Sequence, residues 1–276
     1  MKTVRALILT AAVAATVAAC NRDRESAPDA PAPDAAPVVA PASAAAPMSF
    51  DSETPYANVK LTLPDVIKSQ PDLHASLYAG EVRTLRQFIE GAQGERTEAG
   101  FDEDRPPYEK TVTVTAAGET GGLLSLQRVD FDYSGGAHPN TLASGLLWDK
   151  TAKRQIPGTA LFRTGADMTA LDRALCAALN TAKTARSPGS APVTLTGSDW
   201  SCPRASATPF VLTGGSVPGK AAGLTFLVGP YQIGPYSDGA YEIALPASTF
   251  RTLLAPQWAG EFAGDLSRAG DVTPTR

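Results

Sequence analysis

The chain has 276 residues, 43% of them apolar, and a formal net charge of −4, so it can bury a real core and does not have the composition of a disordered polyelectrolyte. Its Lys and Arg residues are spread along the chain rather than clustered among aromatics, which argues against a nucleic-acid surface. With only two histidines, three cysteines at no zinc spacing and no phosphate or dinucleotide glycine motif, no metal or cofactor is expected.

Lys2 and Arg5 precede an apolar run, Ala6 to Ala19, too short to remain as a membrane span; residues 1–19 are predicted to be a signal peptide. Its end, Val17-Ala18-Ala19-Cys20, resembles the bacterial lipobox. That resemblance implies cleavage before Cys20 and acylation of its thiol, and Asn21 in the next position implies the outer membrane, facing the periplasm. The other reading is an ordinary secretory leader that ends in cysteine. Residues 20–55 are Ala, Pro, Asp and Ser with almost no large apolar side chain, a composition that cannot offset ordering entropy, so they are predicted to be a tether.

Val59, Leu61 and Leu63 alternate with polar residues as in a half-buried strand, which Pro64 ends. Leu73, Leu77, Leu85, Phe88 or Ile89 and Ala92 recur at helical spacing, with Pro71 in the first turn and Gly91 and Gly94 able to close the far end. Gly80, in the middle, suggests a close packing contact. After a charged loop to Pro107, the alternation from Tyr108, the turn at Gly118 to Gly122 and the run Leu123 to Tyr133 predict antiparallel hairpins. A shaped loop, Ser134 to Asn140, returns the chain into Leu142 to Trp148.

Met168, Leu171, Leu175, Ala178 and Leu179 mark a second helix, capped by Thr164 or Asp167, with Cys176 at its edge. Cys176 and Cys202 are predicted to form a disulfide that pins the Pro/Gly/Ser-rich stretch after Ser187; two separate buried thiols are the alternative. Strand-like islands stand at Val193 to Leu195 and Phe210 to Leu212. Leu224 to Val228 is predicted to be a central strand, Ala240 to Leu245 another, Phe250 to Leu254 a short final helix, and residues 263–276 a frayed tail. The mixed order without βαβ alternation predicts an α+β fold, with antiparallel sheets and helices packed on one face. It divides into an N-terminal part, 56–107, and a larger part, 108–262.

Tyr133-Ser134-Gly135-Gly136-Ala137-His138-Pro139-Asn140, the later Tyr231-Gln232-Ile233-Gly234-Pro235-Tyr236 with Gly239, and the Val59 to Pro64 strand before a helix carry a family likeness. Together they resemble the extracytoplasmic domain shared by RsiV-type anti-sigma factors and the non-catalytic part of PdaC-type deacetylases. The resemblance implies an RsiV-like fold and a binding module of the cell envelope, since RsiV-type members use this domain to bind lysozyme. The sequence departs from both relatives: it shows no second membrane or cytoplasmic segment, and His74 and His138 are no metal-ligand pair.

His138, beside Ser134 and near Asp130 and Asp132, has three readings: a hydrogen bond to neighbouring backbone, a partner contact, or a general base. The first is favoured, because a histidine before a proline in a turn more often donates to neighbouring backbone, and the last is disfavoured because no nucleophile elbow surrounds Ser134. Tyr231, Tyr236 and Tyr241 are either an aromatic patch or core packing. The favoured function is a non-enzymatic lipoprotein that binds a lysozyme-like protein or peptidoglycan fragments through Tyr133, Ser134, Gly135, Gly136, His138, Pro139, Asn140, Tyr231 and Tyr236. A hydrolase on envelope glycans or esters and a tethered scaffold are the alternatives.

Overall fold

The computed structural model describes residues 46–274 apart from 103; the leader, Cys20 and the tether up to 45 lie outside the described residues. The first strand, β1 (Ser49–Glu53), lies within the stretch predicted to be tether. Its single large apolar side chain, Phe50, gave no readable alternation. It turns at Thr54, whose hydroxyl accepts the Ala57 amide at 2.9 Å, and pairs antiparallel with β2 (Ala57–Thr62).

Helix α1 (Pro71–Glu98) then carries the chain to β3 (Tyr108–Glu119), which lies parallel to β2. Parallel neighbours cannot be joined by a hairpin, so the helix is the required crossover. β4 (Leu123–Tyr133), β5 (Asn140–Asp149) and the short β6 (Arg154–Ile156) continue antiparallel, in the order β1-β2-β3-β4-β5-β6. The fold is α+β as expected, but this sheet is mixed rather than antiparallel. It also runs straight across the predicted boundary at 107/108, so residues 56–107 complete the larger sheet.

One face of the sheet packs under α1, through Leu73, Val82 and Leu85 against Val59, Leu61, Val112, Val114, Leu124, Leu126 and Trp148. Buried His74 donates through Nε2 to the Pro47 carbonyl at 2.7 Å, fixing where the chain enters β1. Gly91 and Gly94 do not end α1; it continues to Glu98 because Arg96 is buried and gathers the next loop. Its guanidinium donates to the carbonyls of Pro106 and Arg105, both at 2.8 Å, and of Asp102 at 3.2 Å. Gly80 has open space beside it and marks no close contact.

The second layer holds α2 (Thr169–Arg186), β7 (Phe210–Gly214), β8 (Ala221–Val228), β9 (Tyr241–Pro246), α3 (Pro256–Ala259) and β10 (Gly270–Asp271). Its sheet is antiparallel in the order β10-β9-β8-β7, with β8 buried at every position. Leu171, Leu175 and Leu179 of α2 pack on Phe226, Tyr241, Ile243 and Phe250. No side chain caps α2: Met168 holds the N-cap position, and Asp167 instead accepts the Thr169 amide. Phe250 to Leu254 is a single 3-10 turn, and Val193 to Leu195 forms only an isolated bridge, Thr194 to Ser201.

Where the layers meet, Leu123 and Leu147 join the second core, while their neighbours Leu124 and Trp148 belong to the first. The alternation of β4 and β5 thus buries both faces at this end. Contact is backbone-close: the Leu212 amide donates to Ser125 Oγ at 3.0 Å, and a Cβ on Gly145 would stand 1.8 Å from the Phe210 carbonyl oxygen. Only glycine fits there.

Cys176 and Cys202 form the expected disulfide, their Cα atoms 5.3 Å apart. Beside it the Asn180 amide reads the Val193 backbone, accepting its N–H at 2.8 Å and donating to its carbonyl at 2.9 Å. The tail predicted to fray is instead tied in: β10 pairs with β9, and Arg186 holds Asp271 with two hydrogen bonds at 2.9 Å. Among the described residues no helix is long and apolar enough to cross a membrane, and no three His, Cys, Asp or Glu side chains group as metal ligands.

Candidate functional site

The β4–β5 loop turns through Gly135 and Gly136, at φ +91° and +104°, values open to glycine but costly for other residues. The Tyr133 hydroxyl closes it by donating to the Gly136 carbonyl at 3.1 Å. The turn sets His138 out from the end of β5, where it meets the second motif.

His138 stacks on Tyr236 with ring centroids 3.7 Å apart and planes 12° from parallel. Its Nδ1 lies 3.1 Å from the Pro139 carbonyl, which can only accept, so Nδ1 carries the proton. Nε2 therefore accepts from the Tyr231 hydroxyl, also at 3.1 Å. The Tyr236 hydroxyl donates to the same Pro139 carbonyl at 2.8 Å. Two motifs about ninety residues apart thus close into one aromatic cluster through named hydrogen bonds.

Tyr231 is 55% exposed and sits at φ +65°, one of two described non-glycine residues in the left-handed region. Strain of this kind persists only where the surroundings hold it, and it concentrates at functional sites. Leu142 on β5, 50% exposed, stands near Gly229 at the start of the same loop.

What holds the second motif is Lys183 of α2. Its ammonium is buried, donates to the Ile233 carbonyl at 2.7 Å and faces Asp238 at 3.7 Å. Gly234 leaves room for that pair, since a Cβ there would lie 2.1 Å from the Asp238 carboxylate. Lys183 follows Leu171, Leu175 and Leu179 at helical spacing, and that position in an apolar stripe was its signal in the sequence.

Two clefts flank the cluster. One, of 220 Å³, lies between the loop gathered by Arg96 and Tyr133, Gly135 and Gly136. The other, of 600 Å³, is lined by Thr141, Tyr236, Asp238, Arg186, Arg268 and Asp271 among others. Burial alone would raise the Asp271 carboxyl, but donation from Thr273 and Arg186 brings it below the ordinary carboxylate range.

Tyr133, Gly135, Gly136, His138, Pro139, Tyr231 and Tyr236 are thus gathered, while Ser134 and Asn140 are exposed on the loop without a recorded side-chain bond. Tyr241 is not part of the patch: it is buried, with the Arg186 guanidinium 3.9 Å above its ring. Nor do Asp130 and Asp132 serve His138. Asp130 is bonded by Arg128, which Glu81 grips at 2.7 and 3.0 Å, and Lys110 lies 3.5 and 4.0 Å from the two aspartates. The ring nitrogen facing Tyr231 is thus occupied by its hydroxyl, and no carboxylate bonds to the His138 ring among the described residues.

Fold and site together define an α+β domain of two packed sheets that displays an aromatic cluster on one loop surface. Residues 50–141, from β1 to the start of β5, match the family model described as Deacetylase PdaC. A DUF3298-family structure from Bacteroides fragilis aligns over 74% of this chain and 88% of its own, at 18% identity and TM-score 0.48. One from Pseudomonas aeruginosa aligns over 78% and 94%, at 15% identity and TM-score 0.47. No curated protein matches the sequence.

Proposed function

We propose that this is a non-enzymatic envelope lipoprotein, anchored through Cys20 in the outer membrane and facing the periplasm, whose domain binds a lysozyme-like protein or a peptidoglycan fragment. The observation that carries the binding reading is the cluster of exposed His138 and Tyr231 on half-buried Tyr236, with Tyr231 held in a strained backbone. Rigid tyrosines supply contact area at low entropic cost and keep a polar tip for hydrogen bonding, which suits either partner. The cluster's hydrogen bonds span both motifs, so it is organised before a partner arrives.

The test is biolayer interferometry of residues 46–276 against lysozyme and against soluble muropeptides, with Tyr231→Ala and His138→Ala as variants. Truncating a central aromatic contact is expected to weaken binding by more than about tenfold, the effect of about 2 kcal/mol. Failure of both ligands to bind the folded domain overturns the assignment of partner. Radiolabelled palmitate incorporation that persists in Cys20→Ser would overturn the anchor.

A further inference from the structure

We infer that the free edge of β5 is a docking site for an extended peptide segment of a partner protein, added as a further strand beside the aromatic cluster. The inference rests on the binding reading above for the partner's location, but on separate observations for its chemistry. β6 covers only Leu147 to Asp149 of β5, and among the described residues no other strand pairs with Asn140 to Leu146 on that side. The Lys150 amide donates to the Gly122 carbonyl, which fixes the alternation: even-numbered residues of β5 bond to β4. Thr141, Ala143 and Gly145 therefore turn both N–H and C=O outward, and no backbone or side-chain partner is recorded for them among the described residues.

Clefts border both ends of this stretch. Thr141 lines the 600 Å³ cleft beside Tyr236, and Gly145 lines a second cleft, of 300 Å³, with Pro157, Gly158 and Pro209. Exposed edges are normally guarded by charges, prolines or brevity. The opposite edge of this sheet, β1, is five residues long and carries Asp51 and Glu53. Asn140-Thr141-Leu142-Ala143-Ser144-Gly145-Leu146 has neither charge nor proline. A row of alternating donors and acceptors is complementary to one kind of ligand, an extended backbone.

Charge narrows the occupant further. In the cleft at Thr141, Asp271 is paired with Arg186 and Asp238 with Lys183, whereas Arg268 has no ionic partner among the described residues. A peptide with an acidic side chain at that end meets this cation. The chain's own segment before β1 is a poor occupant, because prolines at 28, 31, 33, 37 and 41 remove the amides a strand must donate.

The experiment is amide hydrogen exchange on residues 46–276, alone and with a pool of short synthetic peptides of alternating Thr and Val ending in Glu, at millimolar concentration. In the free domain, Thr141, Ala143 and Gly145 are expected to exchange faster than Leu142 and Ser144. The peptides are expected to slow the three by about tenfold or more. The same peptides N-methylated at alternate residues, and the domain with Ala143→Pro, should show no slowing. Ala143→Pro removes an outward donor and spares the β4–β5 ladder; if that variant is unfolded, the N-methylated peptides alone decide. Arg268→Ala should weaken the acidic pool but not one ending in Gln.

Slow exchange at all three residues in the free monomer, protection that grows with protein concentration and marks pairing of two copies, or no protection by the peptides would each overturn the inference. Protection without lysozyme or muropeptide binding would leave the edge site standing and remove only the partner proposed above. The reverse result would remove only the edge site.

Discussion

Tyr231 separates stability from binding. At φ +65° its backbone costs about 1 kcal/mol that glycine does not incur. Its ring returns a comparable amount through His138 and Tyr236, whose centroids lie 6.1 and 5.6 Å away. Tyr231→Gly is therefore expected to change unfolding free energy by no more than about 1 kcal/mol while losing partner binding. Urea denaturation and interferometry on the same preparation check both halves. Lys183 behaves in the opposite way. Lys183→Met leaves the Ile233 carbonyl without its donor and Asp238 without its facing cation and should cost about 2–3 kcal/mol, with the His138 resonances shifting as the loop loses its support.

At the scale of elements, the contact between the two sheets depends on Gly145. A Cβ there overlaps the Phe210 carbonyl, so β7 cannot keep its place; Gly145→Val is expected to destabilise by more than about 3 kcal/mol, or to prevent folding, as read by thermal melting. The disulfide acts on a different part, the stretch from Ser187 to Pro209, which forms no strand longer than a single bridge. Replacing both Cys176 and Cys202 with Ser should cost about 3 kcal/mol, with proteolysis appearing first in that stretch, which α2 then holds through Asn180 at Val193 and Asp172 at Arg204 and Ala205.

Over the whole molecule, acid is expected to loosen the C-terminal strand first. Asp271 titrates below its ordinary value of 3.8 because Thr273 and Arg186 donate to its charged form, against the opposing effect of burial. A carboxyl depressed by folding stabilises the fold above its unfolded pKa, and that contribution is lost as pH falls through the lower folded value. The amide of Val272, which donates to the Glu242 carbonyl, should therefore lose protection below about pH 4, earlier than amides of β8. Arg186→Gln should move that loss to higher pH, because it removes a donor to the charged form. NMR-detected exchange across a pH series measures both.

Periodicity determined much of this protein from sequence alone. Val59 to Thr62, Leu123 to Tyr133 and Leu224 to Val228 lie in strands, Leu171 to Leu179 is one face of a helix, and the glycines at 135 and 136 turn a loop, because each signal lies within a few residues. The likeness of the first motif was legible for the same reason, and the family match over residues 50–141 includes it. β1 was not: one phenylalanine among polar residues becomes a strand only when β2 offers an edge to pair with. The same holds for β10 and for the parallel pairing of β2 with β3, which depends on a crossover of forty-odd residues. That His138 stacks on Tyr236, that Tyr241 is core, and that Asp130 answers to Arg128 were decided only in three dimensions. Local pattern fixes which way a side chain faces along its own element, whereas its neighbour is set by packing between elements distant in sequence.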